Sequence, residues 1–344
     1  MTTVELPSPP GDLVSAVSFS PWAHTTPHLL VSSWDAQLRL YNPPNYQDSS
    51  KCLEKSVEFD APLLDCCWSS DVPGQVFTAG SEGRVYGMDL TTGQINQVGD
   101  DHDNAIQNLV FHRESGYIVS GSWDSTMQII DQRGHSGATS GQRISLPGKV
   151  FSMDIAKNYI VVGMSNRQVS IYDVRQLSRA LQERESSSKY MTRAISCMPD
   201  GQGYASSSIE GRIAVEYFDQ SPQAQAQKYA FRCHRTTNHV TNIDTVQPVN
   251  ALVFHPKFTS FFSGGSDAMV CTWDYKVRKR LREYPKFPYS VTALNMDSNG
   301  SLSAIGVSND QYKEDPINFG PRPAESKIYV RILDKGEGKP RSAK

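Results

Sequence analysis

The chain has 344 residues, with 34 Lys and Arg against 36 Asp and Glu, a net charge of −2, 38% hydrophobic and 20% charged residues. At about twice the usual domain length it holds one large domain or two ordinary ones, with too much apolar material for disorder and no charge excess to draw it to nucleic acid or an anionic membrane. With no run of 18 apolar residues and no signal-peptide pattern in MTTVELPSPP, the expectation is neither a membrane-spanning protein, a secreted scaffold nor a basic DNA binder.

In chain order, the first predicted element is the short strand Val4-Glu5-Leu6. Prolines at 7, 9 and 10 end it, because proline cannot extend a hydrogen-bonded ladder. Seven copies of one unit follow: an apolar strand, a second strand running into small residues, a tight polar turn, and a third strand. The first strands read AVSFSP (16–21), DCCWSS (65–70), NLVFHR (108–113), VFSMDI (150–155), AISCMP (194–199), ALVFHP (251–256) and ALNMDS (293–298). The rest of the unit reads VSSWDAQLRLYN (31–42), FTAGSEGRVYGMD (77–89), IVSGSWDSTMQIID (118–131), IVVGMSNRQVSIYD (160–173), YASSSIEGRIAVEYFD (204–219) and FFSGGSDAMVCTWD (261–274). The seventh is LSAIGVSND (302–310), continued by SKIYVRILD (326–334).

The turn residues, five acids and two asparagines, set the period. Asp35, Glu82, Asp124, Asn166, Glu210, Asp267 and Asn309 are spaced 47, 42, 42, 44, 57 and 42. A repeat of about 40–45 residues ending in an aromatic or apolar residue plus Asp, as in Trp273-Asp274, resembles the WD40 family. The resemblance implies an all-β, seven-bladed WD40 propeller over residues 1–335, closed by the N-terminal strand, with 336–344 a disordered basic tail. Small residues before each turn are expected to let inner strands crowd together. The turn acid is expected to accept backbone N–H groups and brace the connection.

The 57-residue spacing carries an insertion around 219–248, in which KYAFRCHR (228–235) reads as an added outer strand between two loops. The stretch Gln176–Lys189 reads as a short helix or a solvated connector, and 311–326 as a mobile loop. Five of the six cysteines lie in or beside apolar runs and read as small core side chains. Neither the cysteines nor the histidines carry metal-ligand spacing, and His112 and His255 read as bracing residues after their strands. No Walker A loop, HExxH or GxSxG motif occurs, and the inner strands read as apolar or small. No enzyme activity, metal or cofactor is expected, and neither nucleic acid nor membrane is an expected partner.

Two constellations stand out. The residue before the turn acid is Ser81, Ser165, Ser266 or Ile209 in four blades but Trp34 and Trp123 in two. Trp is costly to expose and favoured as an interface anchor, so these two indoles are expected on one face as a peptide-binding pair. Trp68 and Trp273 lie within strand patterns and read as core. The second constellation is basic: Arg212 follows the fifth turn, and Lys228, Arg232 and Arg235 lie on or beside KYAFRCHR. Converging guanidinium groups suit a phosphate; charges along an edge strand also protect it from aggregation.

SSIEGRIAVEY (207–217), KYAFRCHR followed by PVNA (248–251), SSWD (32–35), SGSWD (120–124) and KVFSMD (149–154) together resemble the spindle-checkpoint propeller of the "budding uninhibited by benzimidazole" family. Its sister, the messenger-RNA-export propeller that binds a nucleoporin, shares a similar SIEGR segment. The checkpoint resemblance implies a non-enzymatic adaptor, monomeric in hetero-complexes, found in the nucleus, at kinetochores in mitosis and also in the cytoplasm. Its implied partners are the GLEBS segments of a checkpoint kinase and its pseudokinase-like relative, held by Trp34 and Trp123. Phosphorylated Met-Glu-Leu-Thr repeats of a kinetochore scaffold would be held by Arg212, Arg232, Arg235 and Lys228.

Overall fold

The computed structural model describes residues 2–22, 26–132, 141–238, 240–309, 325–334 and 336–339. Seven sheets, each of four antiparallel strands, are the blades of an all-β propeller architecture. The chain divides into two compact units, Leu64–Cys233 and the pair of segments Met1–Leu63 and His234–Lys344.

The split unit holds blades one, six and seven. Blade one is built from Val14–Phe19, Leu29–Ser33, Gln37–Tyr41 and Leu53–Glu58. Blade six uses Val249–Phe254, Ser260–Gly265, Val270–Asp274 and Lys279–Glu283. Blade seven takes three strands from the C-terminal segment, Ser290–Met296, Leu302–Ser308 and Ser326–Ile332, and its fourth from Thr2–Glu5. The N-terminal strand pairs with the last one from Thr2↔Ile332 to Glu5↔Tyr329, and Leu6 N–H donates to Ile328 O at 2.8 Å, so the predicted closure is found. Leu6 is buried with Val14, Val17, Ile328 and Val330, which fixes the strand by packing as well as by its ladder.

The continuous unit holds blades two to five. Their second and third strands are buried almost end to end, as in Tyr159–Met164 and Gln168–Asp173 of blade four. Short apolar runs buried on both faces need not alternate, whereas the fourth strands at the open edge are largely exposed and alternate in blades four and five. The predicted crowding before the turns is real. A Cβ on Gly163 would come within 2.6 Å of Ile195 Cδ1 of the neighbouring blade, and in the split unit one on Gly264 would come within 2.3 Å of Val291 Cγ1.

Four expectations are corrected. The segment 176–189 supplies the fourth strand of blade four, Gln182–Glu185, paired with Gln168–Ile171. Its helix-forming composition is overridden by the need of that blade for an outer strand. Tyr229–Arg232 is the ordinary fourth strand of blade five, not an addition, and the true insertion is a separate two-stranded hairpin, Arg235–Asn238 with Ile243–Val246. The chain stays anchored past 335: Glu337 is buried and accepts from Arg331 and Arg282, each at its closest 3.0 and 2.9 Å. The remainder of the tail, 340–344, lies outside the described residues, as do 311–324 of the predicted loop. Finally, the inner strands are not only apolar or small, since they carry Asp65, Asp154 and Asn295.

Candidate functional site

The turns between second and third strands share a backbone feature in the first six blades. The residue after the turn acid is left-handed in six blades: Ala36, Gly83, Ser125, Arg167, Gly211 and Ala268 have φ between 61° and 80°. The residue before the acid donates its N–H to a carbonyl at the start of the first strand, as from Trp34 to Leu13, Trp123 to Ala105, Ile209 to Met191 and Ser266 to Pro248. With the backbone engaged in this way, the side chain at that position is directed off the turn.

Trp34 is 46% exposed. Beneath it Asp35 accepts from the N–H groups of Gly11 (2.8 Å) and Gln37 (3.1 Å) and pairs with Arg39 at 2.7 Å. Burial raises the carboxyl pKa, but the Arg39 and Gly11 hydrogen bonds outweigh it and hold Asp35 below its ordinary value. Trp123 differs: it is half-buried, and its indole N–H is enclosed with no hydrogen-bond partner among the described residues. Trp68 is buried, and half-buried Trp273 donates to Ser263 Oγ at 2.8 Å, as suits core positions.

The sequence reading missed two histidines in these turns. His102 Nδ1 lies 3.0 Å from Asp124 and its Nε2 2.9 Å from Ser120 Oγ. His234 repeats the arrangement with Asp267 (2.9 Å) and Ser263 (2.8 Å), and Ser263 in turn receives Trp273. Burial lowers the pKa of His102 despite Asp124 beside it. The signal was a His ahead of the first strand, too weak alone because it pairs 22 and 33 residues downstream. His112 and His255 do brace their connections, through Ser115 and the N–H groups of Lys257 and Phe258.

In blade five Arg212 and Arg232 are Cα partners across adjacent strands, which puts their side chains on one face of the sheet. Glu210 faces Arg212 with Oε2 3.6 Å from Nε, beyond hydrogen-bond length, while its Oε1 accepts the Lys189 N–H at 3.2 Å. Lys228 is exposed just before the strand. Arg235 starts the hairpin and pairs there with Asp244 at 3.2 Å. Of the four predicted basic residues, the structure thus brings Arg212 and Arg232 together.

Two acids on inner strands went unnoticed as a feature. Asp65 is pushed up to about 7 by burial, although it accepts from the N–H groups of Leu109 and Cys66, both at 2.8 Å. Asp154, pushed up to about 6 by burial, accepts from Cys197 and Ile155. Each joins its blade to itself or to the next through backbone N–H groups. Among the described residues no three His, Cys, Asp or Glu are grouped to hold a metal ion.

Residues 93–131 and 227–274 match the WD domain, G-beta repeat. The chain is 39% identical over 349 residues to "Mitotic checkpoint protein BUB3.1" of Arabidopsis thaliana, covering 99% of this chain and 97% of that protein. It is 37% identical to "Mitotic checkpoint protein bub3" of Dictyostelium discoideum, covering 88% of each. It is also 32% identical to "mRNA export factor GLE2" of Chaetomium thermophilum, covering 98% of this chain and 92% of that one. With seven WD40 blades and checkpoint relatives matched across nearly its full length, this chain belongs to the BUB3 family of mitotic checkpoint WD40 proteins, to which the GLE2 export factors are related.

Proposed function

We propose that this protein is a non-enzymatic adaptor of the spindle assembly checkpoint, acting in the nucleus at unattached kinetochores. Trp34 and Trp123 are anchors for GLEBS segments of a checkpoint kinase and its pseudokinase-like relative. Arg212 and Arg232, with Lys228 and Arg235 as further basic residues, take phosphorylated Met-Glu-Leu-Thr repeats of a kinetochore scaffold. The observation that carries this reading is Trp34, a 46% exposed indole above a turn closed by Asp35 and Arg39. A large aromatic on so firm a base loses little entropy on binding and offers the area of an interface anchor.

The export-factor relative supports a second reading, an mRNA-export adaptor for a nucleoporin GLEBS segment. Calorimetric titration with GLEBS peptides from a checkpoint kinase and from a nucleoporin separates the two. The checkpoint peptide is expected to bind more tightly by at least tenfold. A preference for the nucleoporin peptide would transfer the assignment to export, and binding of neither would remove the adaptor reading.

A further inference from the structure

In most blades that carry an arginine after the turn acid, the pair is closed. Arg39 meets Asp35 at 2.7 Å, and Arg84 meets Glu82 at 3.0 Å and Asp101 at 3.2 Å. In blade five Glu210 Oε2 and Arg212 Nε form a longer ion pair of 3.6 Å, Glu210 Oε1 accepts the Lys189 N–H at 3.2 Å, and a second arginine, Arg232, is the Cα partner of Arg212 across the ladder. Two arginines thus stand on one sheet face, and the one carboxylate beside them pairs with Arg212 at a longer distance than the closed pairs of blades one and two. Like charges directly opposite on a sheet repel, so this arrangement is held at a cost unless an anion joins it.

We propose that Glu210 is an internal competitor at this site: its carboxylate occupies Arg212 in the free protein and must yield the guanidinium to an incoming phosphate monoester, so that it sets how tightly and how long the ligand is held. The inference rests on the phosphopeptide reading of Arg212 and Arg232 above. A phosphate brings nearly two negative charges and three acceptor oxygens, enough to replace one carboxylate at Arg212 and engage Arg232 as well. Glu210 repels that dianion at close range, and because it is a turn residue it cannot withdraw far. The result is a site whose net charge before binding is about +1, rather than the +2 of the bare arginine pair.

The turn tolerates a neutral residue at this position. Asn166 holds the equivalent place in blade four, accepting from Gln168 N–H at 3.3 Å and donating to Pro147 O at 3.2 Å. Glu210→Gln and Glu210→Asn are therefore two independent ways to remove the charge and keep the fold. Paired phosphorylated and unphosphorylated scaffold peptides would be titrated against wild type, both neutral variants and Arg212→Ala, at two salt concentrations. Both neutral variants are expected to bind the phosphopeptide about three- to tenfold more tightly, chiefly through slower dissociation, and to lose affinity more steeply with salt. Glu210→Asp, which keeps the charge, should stay within about twofold of wild type. If wild type prefers the phosphorylated peptide and Arg212→Ala abolishes the preference, yet both neutral variants bind equally or less tightly, Glu210 positions Arg212 and does not compete. If wild type shows no preference for phosphate and Arg212→Ala changes nothing, the phosphopeptide reading itself fails.

Discussion

The turns of blades one and five share a backbone and differ in how their charges are closed. Trp34 and Ile209 each donate a main-chain hydrogen bond to the start of their first strand, and Ala36 and Gly211 follow the acid with φ near 61° and 63°. In blade one the acid and the arginine are largely buried and in contact, with side chains 14% and 9% exposed. In blade five they form a longer pair of 3.6 Å, 19% and 33% exposed, with a second arginine opposite. Blade one therefore offers an apolar knob on a neutral, stiff base, and blade five an apolar residue beside an arginine pair matched by a single carboxylate. One scaffold can present different chemistry from equivalent turns because the turn backbone is satisfied first, leaving the side chains to vary.

The most direct way to break the comparison is to open the closed turn. Arg39→Ala leaves Asp35 in a partly dry site with only the N–H groups of Gly11 and Gln37. A loss of about 3 kcal/mol in urea denaturation is expected, near the lower end for breaking a buried pair. The sign with pH follows from the lowered folded pKa of Asp35: its contribution is present above the ordinary value of 3.8 and is lost as pH falls through the folded one. A change below about 0.5 kcal/mol would mean that the pair in blade one is no more closed than that in blade five.

Next in size is the knob itself. Trp34→Ala should weaken binding of a checkpoint-kinase GLEBS peptide by about 2 kcal/mol or more, with the melting temperature unchanged because the turn is braced from below. Trp123→Ala should weaken binding too, but with a measurable drop in melting temperature, since that side chain is half-buried. Equal, unaltered affinities in calorimetry would remove both residues from the site.

A pH-dependent effect sharpens the contrast between an acid closed by arginine and one that no cation neutralises. Burial raises the pKa of Asp65 to about 7, so the folded state favours its protonated form. The penalty on folding is absent below the unfolded value of 3.8, grows as pH rises, and is complete above about 7. The melting temperature of Asp65→Asn relative to wild type should therefore climb between pH 5 and pH 8. A difference that stays flat across that range would show Asp65 ionised throughout.

The sequence determined the repeat, the seven polar turn residues and the strand that closes blade seven, because these depend on local alternation, small residues and proline, all visible within a dozen positions. It also named Trp34 and Arg212, since both sit inside recurring turns whose backbone is dictated locally. Tertiary structure decided the rest. Gln182–Glu185 looks like a helix or connector in isolation and becomes a strand because blade four needs an edge partner. His102 and His234 acquire meaning from acids far along the chain, and the role of Asp65 depends on an N–H of the adjoining blade. Period and turn chemistry are local energies and can be read in one dimension. Burial, ion-pair distance and the pairing of Arg212 with Arg232 arise between residues that only folding brings together, so the charge balance of blade five could be found only in three.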